Sequence, residues 1–238
     1  MAGYLPGVVD VRVLSYNIRA LRDDEDAVVR VVRRTEADVV CLQEVPRFLG
    51  WRATRDRLAR RCGLTVAASR QIAGLAVFCG PRARVLAGEY HLLTRVPRLH
   101  RRALALAALE IDGARLVAAS THLDLEDAPR LAHTGQVLSL LDRFRRAHRA
   151  PALLAGDLNE EPEGPVWRLL GGVLQDCYAV APRGSGDTYS AAYPHKRIDG
   201  IFADPSFQVT GCGVPPDVDG DQALATDHCP VLADVTVH

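Results

Sequence analysis

Lysine is nearly missing from this 238-residue chain: Lys196 is the only one, and the other 28 of its 29 basic residues are arginines. Those 29 cations meet 29 Asp and Glu, so the formal charge is zero. This excludes a protein that coats a polyanion by bulk electrostatics and confines any such contact to local patches. Aromatic residues make up only 5%, which leaves few platforms on which unpaired bases could stack. The six cysteines are dispersed, with no C-x-x-C pair and no compact Cys/His group. A zinc-stapled fold is therefore excluded and six free thiols are expected. No apolar run approaches the ~18 residues of a membrane span, and the first residues lack the basic-then-apolar pattern of a secretory leader. The expectation is a cytoplasmic protein with no transmembrane segment.

What is present is an ordinary globular composition, 48% hydrophobic and 24% charged, in a chain long enough to bury a core without staples. Short β-branched apolar runs predict strands over 11–16, 38–43, 64–68, 74–79, 103–111, 116–121, 152–156, 197–203 and 231–237. Helical spacing predicts helices over 24–36, 52–61 and 129–148, the last opened by Pro129 near its first turn. The looser stretches 80–88, 182–187 and 211–220 read as loops, and no linker divides the chain, so one domain over 1–238 is expected. Residues 38–44 and 152–159 echo each other as helix-preceded strands that run into acidic residues. That echo suggests two similar layers delivering oxygen ligands to a common edge.

The chemistry gathers at predicted strand ends: Ser15-Tyr16-Asn17, Leu42-Gln43-Glu44, Ser120-Thr121-His122, Gly156-Asp157-Leu158-Asn159 and Thr226-Asp227-His228. Singly, each has a bland reading as a cap or an Asx-turn. Together, Asn17, Glu44, Asp157, Asn159 and Asp227 offer the hard oxygen set that Mg²⁺ or Mn²⁺ takes. Asp157 and Asn159 are two apart, so extended backbone would aim both side chains at one face while Leu158 turns inward. His122 and His228 add proton chemistry, and the other six histidines have no comparable context. Asp199 lies inside an apolar strand, where a charge is costly unless paired. Arg197 is the structural candidate for its partner; His228 is the partner expected here.

These residues resemble the endonuclease/exonuclease/phosphatase superfamily, which includes pancreatic deoxyribonuclease, abasic-site endonucleases, neutral sphingomyelinases and inositol-polyphosphate phosphatases. Ser15-Tyr16-Asn17-Ile18-Arg19, Leu42-Gln43-Glu44, Ser120-Thr121-His122-Leu123, Gly156-Asp157-Leu158-Asn159, Arg197-Ile198-Asp199 and Thr226-Asp227-His228-Cys229-Pro230-Val231 occur in the family's order over nearly the whole chain. The resemblance implies an α/β fold, a four-layer α/β sandwich of two mixed β-sheets packed face to face with helices on the outer faces. It implies that Glu44 is the principal metal ligand with Asn17 nearby, and that Asp227 lies at the metal or orients its neighbours. It implies that Asp157 and Asn159 position water and phosphate and that His228, paired with Asp199, contacts the scissile phosphate. His122 would contact a phosphate oxygen or protonate the leaving group. The attacking water would lose its proton either to Asp157 or to a His–Asp pair.

The implied activity is Mg²⁺-dependent phosphoester hydrolysis, with Mn²⁺ as a substitute. A phosphodiesterase or nuclease-like enzyme is the first reading. A phosphomonoesterase acting on a phosphorylated sugar, inositol or lipid headgroup is the second. An inactive binding module is remote, because Glu44, Asp157, Asn159 and His228 are all present. The expected partner is the phosphate-ester substrate, whether nucleic acid, small molecule or lipid headgroup, and nothing indicates an obligate protein partner. Thr121-His122-Leu123 stands where the abasic-site enzymes carry Pro-Asn, and Arg19 where they carry an acid, which disfavours DNA repair. Gly200 stands where an aromatic residue is common. Of the arginine clusters, 52–61 and 143–149 read as solvated helix faces. The cluster at 95–102 reads as a loop before a core strand, so Arg101 and Arg102 are the substrate-binding candidates.

Overall fold

The computed structural model describes residues 8–237. The first half of the chain forms β1 (Val9–Asn17), α1 (Glu25–Thr35), β2 (Val39–Gln43), α2 (Trp51–Cys62), β3 (Thr65–Arg70), β4 (Leu75–Cys79), β5 (Ala83–Leu92) and β6 (Ala103–Ile111). There follow β7 (Ala114–His122), α3 (Asp127–His148), β8 (Ala152–Asp157), α4 (Pro165–Gly171), β9 (Gln175–Asp176), α5 (Cys177–Val180), β10 (Asp199–Ala203), β11 (Gln208–Gly213), α6 (Asp221–Ala225) and β12 (Val231–Val237). The strands make two six-stranded mixed sheets, in the orders β11-β12-β1-β2-β4-β3 and β5-β6-β7-β8-β10-β9.

Both faces of the central strands are buried, which is why they read as near-continuous apolar runs. Along β6 to β8, Ala103, Ala105, Ala107, Leu116, Ala118, Leu153 and Ala155 face the other sheet, and the alternate residues Leu104, Leu106, Val117, Ala119 and Leu154 face α3 and α4. Sheet one repeats the arrangement, with Leu14, Tyr16, Val40, Leu42, Ala76 and Phe78 packed against α1 and α2. The result is the expected four-layer sandwich, each fully buried Leu, Val or Phe side chain contributing roughly 1.5–3 kcal/mol.

The faint echo between 38–44 and 152–159 corresponds to a repeat of topology. In β12-β1-β2-β4 and again in β6-β7-β8-β10 the pairs run antiparallel, parallel, antiparallel. A helix makes each parallel crossover, α1 in one sheet and α3 in the other. The two layers are locked at one edge by buried polar bonds: Gln43 Nε2 donates to Ser120 Oγ at 3.1 Å, and Ser120 Oγ donates to the Leu42 carbonyl at 3.0 Å. Gly156 permits the close approach of β7 and β8, since a Cβ there would lie 2.3 Å from the Thr121 carbonyl oxygen.

Two of the predicted loops are strands in part. Residues 80–88 overlap β5, and 211–220 overlap β11. Each is an edge strand with a bulge, at Val85/Ala87 and Val209/Gly211, so neither shows the unbroken apolar run that marks the inner strands. All six cysteines are free and buried. Among the described residues no helix is long and apolar enough to cross a membrane, which says nothing of a β-barrel.

Candidate active site

Parallel pairing aligns the carboxyl ends of β1 with β2 and of β7 with β8, and the cross-sheet bonds at Gln43 and Ser120 bring both pairs to one edge. Asn17, His122 and Asp157 are the last residues of their strands, and Glu44 immediately follows β2. The antiparallel strands β10 and β12 start where these end. Asp199 is therefore opposite Asp157 in register, and His228 stands just before β12.

Asn17 joins the two sheets' carboxylates: its Nδ2 donates to Asp157 Oδ2 at 3.0 Å and to Glu44 Oε1 at 3.3 Å, while its Oδ1 accepts from the Arg19 amide at 3.1 Å. The two oxygens of Asp157 have separate tasks. Oδ1 accepts from the Asn159 amide at 3.0 Å, which is the Asx-turn, and Oδ2 faces His122 Nε2 at 3.4 Å and His228 Nε2 at 3.7 Å. Asn159 reaches the same face by a different route from strand alternation: β8 stops at Asp157, and Asn159 takes a left-handed φ of 52°. Glu44 has a φ of 51°. Non-glycine residues persist in that region where the surroundings over-determine them, as at functional sites. Asn159 Nδ2 donates to the Leu123 carbonyl at 3.0 Å and lies 3.1 Å from His122 Nε2.

Asp199 pairs with His228, Oδ2 to Nδ1 at 2.9 Å. Arg197, the other candidate partner, is held by Asp176 at 2.8 Å and stacks over Trp167. Burial alone would lower the His228 pKa, but Asp199, Asp157 and Asp227 outweigh it and push it up to about 10. His122 differs. Burial brings it down to about 3 despite the pull of Asp157, so it is a neutral imidazole with Nε2 beside the Asn159 amide. Burial also raises the Asp157 carboxyl, while His122, His228 and the Asn17 amide act against the rise.

Glu44, His122, Asp157, Asn159 and His228 line a cleft of about 540 Å³, and Asn17 and Asp199 are bonded to Asp157 and His228 from within the fold. Asp227 lines the cleft half-buried, with Oδ2 3.4 Å from Arg19 Nε. Arg101 and Arg102 line it too, but Arg102 is buried, and its Nε donates to Asp124 Oδ1 at 3.1 Å. Asp124 Oδ2 in turn lies 2.9 Å from His133 Nδ1. Sequence reasoning missed four further members of the wall: Arg22, Arg47, Tyr189 and Lys196, together with His100, one of the six histidines set aside. The available signal was proximity to motifs, since Arg47 follows Glu44 by three residues and Lys196 directly precedes Arg197-Ile198-Asp199.

The donor set suits a hard divalent cation. Three carboxylates, Glu44, Asp157 and Asp227, face one cleft as hard oxygen donors of the kind such an ion takes, and no thiol lies among the lining residues. Asp157, Asp199 and His228 also bring one ligand atom each within 4.8 Å of one another. There, however, His228 Nδ1 is already engaged by Asp199, so Glu44 is the better anchor.

The sequence model of the Endonuclease/Exonuclease/phosphatase family matches residues 14–228. The chain belongs to that family. The family comprises phosphoester hydrolases and generally uses divalent metals. Among solved structures, the fold is similar to a family protein from Bacteroides vulgatus, with 22% identity, TM-score 0.80, 97% of this chain and 100% of that chain covered. It is also similar to a mannosyl-6-phosphatase from Bacteroides thetaiotaomicron, with 20% identity, TM-score 0.80, and 94% and 99% covered. A third likeness is to the human Nocturnin catalytic domain with bound sulfate anion, with 19% identity, TM-score 0.76, and 96% of each chain covered. At such identities the likeness establishes the family fold. No curated protein matches the sequence.

Proposed function

We propose that this family member is a Mg²⁺- or Mn²⁺-dependent hydrolase of small-molecule phosphoesters, acting by in-line attack of water on phosphorus. The single observation that carries the reading is the Asp199–His228–Asp157 line at the cleft floor, a buried imidazole fixed on one side by one carboxylate and facing a second. A divalent ion held at Glu44, with Asp227 beside it, would supply Lewis-acid stabilisation of the phosphate oxygens. His228, held charged by Asp199, presents Nε2–H to a phosphate oxygen and stabilises the charge gathering there. A charged imidazole has no lone pair with which to accept a proton. Between the two candidate bases, Asp157 is therefore the acceptor of the water's proton, at Oδ2, where burial raises its proton affinity. Asn17 keeps Glu44 and Asp157 apart and aimed, and neutral His122 steadies Asn159 against the phosphate.

Within this reading the cleft favours a phosphomonoester over nucleic acid. Its volume of about 540 Å³ is that of a small-molecule site. Tyr189 is the aromatic side chain on its wall, besides histidines, and it is tilted against His228 with ring centroids 5.1 Å apart. In the helical arginine clusters, Arg57 and Arg61 are already paired with Glu25 and Asp26, and Arg145 and Arg146 with Asp142. A cytoplasmic, reducing environment suits the six free buried thiols.

The test is a hydrolysis panel in Mg²⁺ with 4-nitrophenyl phosphate, bis(4-nitrophenyl) phosphate, plasmid DNA, RNA and phosphoinositides. The expected result is a higher kcat/KM for the monoester than for the diester and for either nucleic acid. Preference for the diester would reverse the choice of substrate class, and release from none would remove the hydrolase reading.

A further inference from the structure

We infer that the cleft binds a second anionic group, a phosphate or carboxylate carried on the same small molecule as the scissile phosphate, and that Arg22, Arg47, Arg101 and Lys196 form its subsite. The inference rests on the phosphoester-hydrolase reading and narrows its substrate. These four cations come from four separate connections, after β1, after β2, before β6 and before β10, and all of them line the one cleft. Among the described residues, none of the four has a carboxylate within 4.0 Å, whereas Arg102 on the same wall is answered by Asp124 and Arg19 by Asp23 and Asp227.

Unpaired exposed arginines are ordinary on a protein surface, and two features set these apart. The first is Arg101, whose Nε is buried without a hydrogen-bond partner. A buried donor left unmade is costly, and an anion in the cleft that drew the Arg101 guanidinium out to an oxygen acceptor would relieve it. The second is Arg47, whose stem is seated over Gly74. A Cβ on Gly74 would stand 3.2 Å from Arg47 Cδ and 2.8 Å from the Val45 carbonyl oxygen, and its φ is +63°. The turn is thus shaped to hold that stem at the rim of the cleft.

Four cations facing one common cleft draw in and hold a second anionic group beyond the scissile phosphate.

Isothermal titration of protein dialysed free of divalent ions reads the subsite without turnover. Fructose 1,6-bisphosphate should bind more tightly than fructose 6-phosphate by about tenfold or more, the worth of one charge-assisted hydrogen bond. A short-chain phosphatidylinositol bisphosphate measured beside them separates a lipid headgroup from a free sugar as the source of the second phosphate. Tighter binding of either bisphosphate supports the subsite. The advantage should vanish in Arg47→Gln/Lys196→Gln, whose residues are exposed, and shrink in Arg101→Gln, with circular dichroism confirming the fold of each. Equal affinity for mono- and bisphosphate would overturn the inference, as would an advantage that survives the double substitution or a single-stranded oligonucleotide binding more tightly than both bisphosphates. A protein that releases phosphate in Mg²⁺ yet binds the two sugars equally keeps its hydrolase reading and loses the subsite. One that binds the bisphosphate preferentially and releases nothing keeps the subsite and loses the hydrolase reading.

Discussion

Glu44→Gln is expected to lower turnover roughly a hundredfold or more at low Mg²⁺ while leaving the fold intact, since it removes the charge that anchors the ion and changes little else. Glu44 is half-buried just past β2 and accepts a single long hydrogen bond, 3.3 Å from Asn17 Nδ2, which a glutamine oxygen can accept as well. The residue packs in none of the three apolar clusters. The melting temperature of the metal-free variant should therefore stay close to that of wild type, and raising Mg²⁺ should recover part of the rate. A variant with wild-type rate and wild-type Mg²⁺ dependence would show that the ion is anchored elsewhere.

The second large effect concerns the Asp199–His228 pair. Replacing a positioned cation at developing charge costs about 10²–10³ in turnover, so His228→Ala should fall by that factor and Asp199→Asn by at least about tenfold. The two act as one unit. The double variant should be hardly slower than His228→Ala alone, whereas fully additive losses would make Asp199 an independent structural residue. The pH signature is separate from rate. With its pKa pushed up to about 10, His228 stays protonated at neutral pH. The pair's stabilisation is complete below the unfolded value of about 6.5 and is lost as pH rises through about 10. In Asp199→Asn the largest opposing influence, burial, loses its main counterweight, so the NMR titration of His228 should move strongly downward. An unchanged titration would mean that Asp199 does not hold the charge.

The sequence was most legible where burial is two-sided. Predicted strands over 103–111 and 231–237 coincide with β6 and β12, because inner strands covered on both faces must be apolar at every position. The motifs of the candidate site were legible for the opposite reason: Asn17, Glu44, His122 and Asp157 are polar residues at the ends of such strands, where a core has no use for them. Edge strands β5 and β11 were not, because solvent on one side and a bulge in the middle erase the pattern. The rim was legible only at Arg101, expected as a substrate-binding residue. Arg22, Arg47 and Lys196 join it in one cleft through the registers of two sheets and the bonds that lock them together, and their nearness to the site motifs is the one trace of that in the sequence. Asp124 is similar, since its burial between Arg102 and His133 depends on where α3 docks.

Phosphate release from 4-nitrophenyl phosphate by the wild-type protein, measured after treatment with EDTA and again after Mg²⁺ is restored, tests the central claim most directly. The account predicts release that falls to background in the chelator and returns with Mg²⁺ or Mn²⁺. Full turnover in EDTA would contradict it.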